Sequence, residues 1–149
     1  MITKLLLATD GSPAARKAAR YAIALARQLK ASLIALSVID KRAYIGQAVP
    51  GIAASRRLTE PIDDYLIESA KGYLNDIKKL CDRYRIKSKT IVTSGHPVEE
   101  IVKTAERAKV SLIVMGSHGR STLEASVLGS VTYGVIHRDI KIPVMVVRG

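Results

Sequence analysis

The chain has 149 residues, of which 48% are hydrophobic and 25% are charged, and its formal net charge is +11. This length predicts one domain over residues 1–149, with a core large enough to need no disulfides. The single cysteine, Cys81, excludes a disulfide within the chain and a metal site built from several cysteines. The apolar runs are too short for a membrane span or a secretory signal, so we expect a soluble, cytoplasmic protein.

The first part of the chain predicts two buried strands separated by an amphipathic helix. Residues 3–9 and 31–40 are short aliphatic runs, typical of strands that are covered on both faces. Between them, Ser12 is a favourable N-cap and Pro13 suits the first position of a helix. Alanines recur at helical spacing along this segment, with arginines and lysine on the other side, so we expect the helix to lie close to the sheet.

The middle of the chain combines an aperiodic segment with a long helix. Residues 41–60 contain glycine, proline and two basic pairs without a clear period, which predicts a long loop of the kind that is usually functional or disordered. Pro61 is predicted to open a second helix that runs to about Tyr84. We interpret Cys81, on the apolar side of this helix, as a small core residue and not as a reactive thiol. Tyr73 belongs to the same apolar stripe, and we interpret it as a packing residue.

The rest of the chain continues the alternation of strands and helices. It predicts, in order, a strand at 87–95, a helix at 97–108, a strand at 110–115, a short helix at about 130–138 and a strand at 143–147. Aliphatic strands that alternate with helices indicate a doubly wound parallel α/β sheet with helices on both faces. Ligands of such sheets bind beyond the carboxyl ends of the strands, where the strand order reverses. The residues that follow strands 1, 2 and 4 are therefore the candidates for a site.

The stretch MGSHGRSTLEASVLGSV, residues 115–131, follows the fourth strand and contains three spaced glycines. Gly116 and Gly119 predict a turn, and Gly129 precedes Ser130, the predicted N-cap of the last helix. Backbone N–H groups at such positions hold phosphate oxygens, and glycine allows close approach. The segment matches neither a Walker P-loop nor the dinucleotide fingerprint. Its spacing alone leaves two interpretations open, a phosphate-binding segment and turns that serve only packing.

The motif GSHGRSTLEASVLGS, written G-x2-G-x9-G-S, resembles the nucleotide-binding signature of the universal stress protein family. The resemblance extends over the whole chain through the segments ATDGS, VID, GHPVEEIV and IPVMVV. It implies a five-stranded parallel sheet of order 3-2-1-4-5 and a homodimer formed through the last strand. Because the glycine motif is complete, the resemblance also implies that the chain binds ATP.

The resemblance further implies which residues surround the base and the sugar of the nucleotide. Ala8 and Val38 are expected to line the adenine pocket, with Val38 offering its backbone. Asp10 is expected to bond the ribose or adenine side, although a cap or turn residue before the first helix is the alternative interpretation. Met115 and Gly116 are expected to lie along the ribose and the first phosphate.

The later phosphates are expected to contact the two motif turns. By the same resemblance, Gly119, Gly129, Ser130 and Val131 hold them through N–H groups and the Ser130 hydroxyl. Mg²⁺ or Mn²⁺ can enter with the phosphates, and Asp10 is then the candidate protein ligand. The three histidines and one cysteine have no recognisable zinc spacing, so we assign no metal site to the protein itself.

Three functions are compatible with these features. The first is a homodimeric stress-response regulatory module that binds ATP. The second is a weak ATPase or phosphoryl-transfer protein, but His118 has no evident orienting carboxylate and we assign no catalytic residue. The third is a basic nucleic-acid-associated protein without nucleotide binding, suggested by the charge of +11. The sequence has no aromatic stacking platform or nucleic-acid motif, which argues against the third.

Overall fold

Strands and helices alternate through the part of the chain that the computed structural model describes, residues 1–40, 56–119 and 128–149. They are, in order, β1 (Lys4–Ala8), α1 (Pro13–Leu29), β2 (Ser32–Ile39), α2 (Arg56–Arg83), β3 (Ser88–Ser94), α3 (Pro97–Arg107), β4 (Leu112–Gly116), α4 (Ser130–Ile136) and β5 (Val144–Val147). The alternation confirms the predicted α/β class.

The strands form one parallel sheet in the order β3-β2-β1-β4-β5, as the resemblance implied. Strand β1 is central, with Leu5 opposite Leu33 of β2 on one side and Leu112 of β4 on the other. The chain adds β2 and β3 on one side of β1 and then crosses to add β4 and β5 on the other. The strand order therefore reverses between β1 and β4, which is where a ligand crevice forms in sheets of this kind.

The two faces of the sheet are covered by different helices because successive strand residues point to opposite sides. Leu5 and Leu7 of β1 pack with α1 and α2, whereas Leu6 packs with α3 and α4. All three leucines are fully buried, which explains why the strands read as continuous aliphatic runs. None of the helices among these residues combines the length and apolar character that crossing a membrane requires.

Helix α1 begins as predicted. The Ser12 hydroxyl accepts a hydrogen bond from the Ala15 N–H at 3.2 Å, and Pro13 occupies the first helical position. The alanines at 18, 22 and 26 have no exposed surface, since they form the side of the helix that lies against the sheet. Small side chains let the helix and the sheet approach closely, as the spacing of the alanines indicated.

Helix α2 begins at Arg56, so the prediction that Pro61 opens it is wrong. Pro61 lies inside the helix, where its missing N–H cannot bond to the Arg57 carbonyl. Proline tolerates the first helical position but does not require it, and a start signal read from proline alone is therefore weak. Residues 41–55 of the predicted loop lie outside the described residues.

Cys81 lies on the side of α2 that faces the core, as predicted. Its side chain has no exposed surface and packs among aliphatic residues of α1, α2 and the sheet. Burial raises the pKa of the Cys81 thiol above its ordinary value, because an apolar environment disfavours the thiolate. The reactive form of the side chain is thus suppressed in the folded protein.

The contact between α3 and α4 gives a test of the packing. A β-carbon at Gly134 of α4 would lie 2.6 Å from Cγ2 of Val98, whereas no atom lies within 4 Å of one at Gly72 on α2. We expect Gly134→Ala to lower the free energy of unfolding by about 1–3 kcal/mol because the added methyl overpacks the contact. Gly72→Ala should raise it by up to about 1 kcal/mol, since alanine favours helix. Urea denaturation measures both, and equal shifts of the two variants would contradict this packing.

Candidate functional site

A cavity of about 390 Å³ opens at the carboxyl ends of β1, β2 and β4. Helices α2, α3 and α4 complete its walls, and it lies at the reversal of strand order. The structure brings all nine residues implied by the resemblance to this one cavity: Ala8, Asp10, Val38, Met115, Gly116, Gly119, Gly129, Ser130 and Val131. The structure thus places these residues together, and their part in ligand binding stays a prediction.

The turn between β1 and α1 fixes the position of Asp10. The Gly11 N–H donates to the Thr9 hydroxyl at 3.2 Å, and the Ser12 N–H donates to Oδ1 of Asp10 at 2.9 Å. Gly11 has a φ of +76°, a left-handed conformation that glycine adopts without strain. The other carboxylate oxygen, Oδ2, would lie 2.5 Å from a β-carbon at Gly119. Asp10 is therefore a turn residue and also a wall of the cavity.

Ser117, which directly follows β4, bonds to β5 and to the residue before α4. The sequence analysis did not single it out. Its N–H donates to the Val147 carbonyl of β5 at 2.9 Å, and its carbonyl accepts from the Gly129 N–H at 2.8 Å. Its hydroxyl accepts from the Gly149 N–H at 3.2 Å and bonds Nδ1 of His118 at 3.0 Å. A serine directly after an aliphatic strand is the signal in the sequence, and the structure shows that this serine is buried.

The start of α4 differs from the prediction. Gly129 is the N-cap, and Ser130 is the first residue of the helix, without a side-chain capping bond. The Gly129 carbonyl accepts the first helical bond, from the Tyr133 N–H at 2.9 Å. The Gly129 N–H is already engaged by Ser117, so it is not available as the donor that the resemblance implied. Gly129 contributes by lacking a side chain, since a β-carbon there would lie 3.0 Å from Cα of His118.

The first turn of α4 presents backbone donors to the cavity. The N–H groups of Ser130, Val131 and Thr132 precede the first donor paired within the helix, and no acceptor in the described ranges bonds to them. The Thr132 hydroxyl donates to the Gly116 carbonyl at 2.8 Å and is buried. This bond holds the first turn of α4 over the end of β4, where both elements line the cavity.

Helix α2 supplies a wall that sequence reasoning assigned only to packing. Tyr73 lines the cavity together with Leu66 and Ser69, and its hydroxyl is hydrogen-bonded to the hydroxyl of Ser37 on β2. The sequence placed Tyr73 on an apolar helical stripe, which is correct, but its reach into the cavity depends on how α2 packs on β2. Asp40, which directly follows β2, also lines the cavity; the end of this strand was predicted to carry site residues, but Asp40 itself was assigned no role.

The described walls of the cavity are acidic and not basic. Asp10 and Asp40 contribute carboxylates and His118 contributes an imidazole, but no lysine or arginine lines the cavity within residues 1–40, 61–119 and 128–149. The net charge of +11 is therefore not concentrated on these walls. Among the described residues, the groups that can attract an anion here are the backbone N–H groups at the start of α4, which carry partial positive charge.

The sequence profile of the universal stress protein family matches residues 1–148, and the chain belongs to this family. Two universal stress proteins of Methanocaldococcus jannaschii are similar to it. MJ0577 is 37% identical over 99% of this chain and 96% of its own length. MJ0531 is 35% identical over 97% of this chain and 81% of its own length.

Solved structures share the fold. That of MJ0577 superposes with a TM-score of 0.83, covering 99% of this chain and 96% of its own. More distant universal stress proteins include one in complex with cAMP, at 22% identity, with a TM-score of 0.70 and 98% and 97% of the two chains covered. Another, from Archaeoglobus fulgidus, is in complex with dAMP, at 19% identity and a TM-score of 0.65, again covering 98% and 97%. At these identities the likeness shows the fold alone.

The bond between Thr132 and Gly116 gives a test of how the site is held together. We expect Thr132→Val to lower the free energy of unfolding by about 1–3 kcal/mol, because the buried Gly116 carbonyl loses this donor while the side-chain shape is kept. Thr90→Val is the matched control, since Thr90 is exposed on β3 and should change stability little. Urea denaturation of both variants measures the difference. Equal stability of the two would mean that this bond does not hold α4 on β4.

Proposed function

We propose that the cavity binds ATP and that the protein is a nucleotide-dependent regulatory module of the stress response. One observation carries this proposal: a glycine turn after β4 and the first turn of α4 line one cavity at the reversal of strand order. The volume of about 390 Å³ falls within the range of about 300–1,000 Å³ that is common for small-molecule sites.

The order of the strands supports one orientation of the nucleotide. Val38 is the penultimate residue of β2, Asp10 follows β1, and Gly116 ends β4, so Asp10 stands between the other two along the edge of the sheet. A carboxylate accepts hydrogen bonds from hydroxyl groups and repels phosphate. We therefore assign the adenine to the Val38 side, the ribose hydroxyls to Asp10, and the phosphates to the glycine turn and α4.

The phosphate end depends on backbone donors. The N–H groups of Ser130, Val131 and Thr132 and the small volume of Gly119 and Gly129 fit a phosphate chain. With carboxylates on the described walls, a divalent cation such as Mg²⁺ or Mn²⁺ would reduce the repulsion. No group of three acidic, histidine or cysteine side chains suited to a metal occurs among the described residues. Such an ion would be held mainly by phosphate oxygens, with Asp10 as the candidate protein ligand.

The regulatory part of the proposal includes a homodimer formed through β5. This strand lies at one edge of the sheet, and its outer side has no partner strand within the described ranges. An exposed strand edge is a template for pairing with a second copy of the chain. The resemblance of the sequence to the family implies the same assembly. Sedimentation of the purified protein tests it directly.

Titration with ATP at moderate ionic strength tests nucleotide binding. We expect Gly129→Val to weaken ATP binding by about 100-fold or more, an effect of roughly 3 kcal/mol. The valine side chain would overlap His118 and displace the segment after β4 that we assign to the phosphates. Gly72→Ala is the control, since Gly72 is on the outside of α2 with open space around it. Calorimetry measures affinity, and circular dichroism confirms that both variants are folded. Unchanged affinity of Gly129→Val would refute this site.

The same proteins separate the two alternatives. A weak ATPase would release phosphate well above the level of a Gly119→Val variant, in which a side chain overlaps the Asp10 carboxylate. A nucleic-acid-associated protein would bind DNA with a steep dependence on salt and would not respond to ATP. The acidic character of the described cavity walls favours neither alternative.

A further inference from the structure

Tyr73 of α2 packs directly against the turn that carries Asp10. A β-carbon at Gly11 would lie 2.5 Å from Cδ1 and 2.7 Å from Cε1 of the Tyr73 ring. Gly11 is thus required here for two reasons, its left-handed φ and the aromatic ring that occupies the space of a side chain. The contact joins α2 to the turn between β1 and α1 at one wall of the cavity.

The Tyr73 ring is itself held in place. Its hydroxyl is hydrogen-bonded to the hydroxyl of Ser37 on β2. Ser37 is buried, with 1% of it exposed. The ring also belongs to the periphery of the core formed by α1, α2 and the sheet. A planar ring that is anchored at its hydroxyl and packed against the core is a rigid support for the Gly11 turn.

The supported turn has little freedom around Asp10. Hydrogen bonds from Gly11 to Thr9 and from Ser12 to Asp10 close it on one side, and the Tyr73 ring closes it on the other. Oδ2 of the carboxylate faces Gly119 at the cavity, where a β-carbon would lie 2.5 Å from it. Removal of the ring would leave Gly11 unsupported and let the turn, with Asp10, move away from that position.

We propose that Tyr73 is a positioning residue for the sugar end of the site: its ring holds the Gly11 turn and thereby directs Asp10 at the ribose hydroxyls. This inference rests on the proposed function, because it concerns the ribose of the nucleotide assigned to the cavity. The ring carries the effect, and the hydroxyl serves to anchor the ring to Ser37. Tyr73 therefore influences selectivity for sugars with hydroxyl groups through the position of Asp10.

The test compares ATP with 2′,3′-dideoxy-ATP, which lacks the hydroxyls that Asp10 would bind. We expect the wild-type protein to bind ATP at least about tenfold more tightly than the dideoxy analogue, since a site built for hydroxyls rejects a ligand without them. Tyr73→Leu should weaken ATP about tenfold and change dideoxy-ATP by less than about twofold, because the lost interaction involves only the hydroxyls. Tyr73→Phe keeps the ring and should retain most of the preference.

Two further variants keep the test independent of folding defects. Gly11→Ala disturbs the same contact from the other side and should produce the same selective loss for ATP. Tyr65→Leu is the matched control, because Tyr65 is 72% exposed on the same helix and should leave both affinities unchanged. Thermal denaturation establishes that each variant is folded at the temperature of the titration.

The outcomes distinguish the inference from the function on which it rests. Equal weakening of ATP and dideoxy-ATP by Tyr73→Leu, or no weakening, overturns the positioning role while ATP binding stands. Failure of Tyr73→Phe to retain the preference also overturns it, because the ring would then not be sufficient. If the wild-type protein does not bind ATP, the proposed function fails and the inference fails with it.

Discussion

The candidate site depends on one constraint, the attachment of the start of α4 to the end of β4. The Gly129 N–H bonds to the Ser117 carbonyl, and the Thr132 hydroxyl bonds to the Gly116 carbonyl. Both bonds join residues that are more than ten positions apart in the sequence but adjacent in space. Without them, the first-turn donors of α4 would have no fixed relation to the glycine turn.

Much of the fold could be predicted from the residues because burial determines their type. Continuous aliphatic runs marked the strands, and the capping pair Ser12 and Pro13 marked the start of α1. The strand order followed only from the family resemblance, since composition and periodicity do not specify which strands are neighbours. The beginning of α2 was missed because Pro61 is compatible with both the first position and the interior of a helix, and tertiary packing decides between them.

The site was predicted in position but not in all its contacts. The nine residues converge because they follow strands that end at the same edge of the sheet. Gly129, and not Ser130 as predicted, is the N-cap of α4. Its position depends on a long-range bond to Ser117, which local sequence does not reveal. Tyr73 was recognised as a packing residue, and its support of Gly11 depends on the left-handed turn as well as on the distance between two elements.

The distribution of charge decides how an anionic ligand could be held. Among the described residues of the cavity, which include two carboxylates, the groups suited to phosphate are oriented backbone donors, which do not depend on side-chain charge. Ser117 bonds to both Gly129 at the cavity and Val147 of β5. It therefore links the part of the cavity proposed for the phosphates to the strand proposed for dimer formation. A ligand shifts an assembly only if it interacts differently with the two states. The Ser117 bonds are where such a difference would arise, because a change in the position of Gly129 alters the same residue that fixes the end of β5.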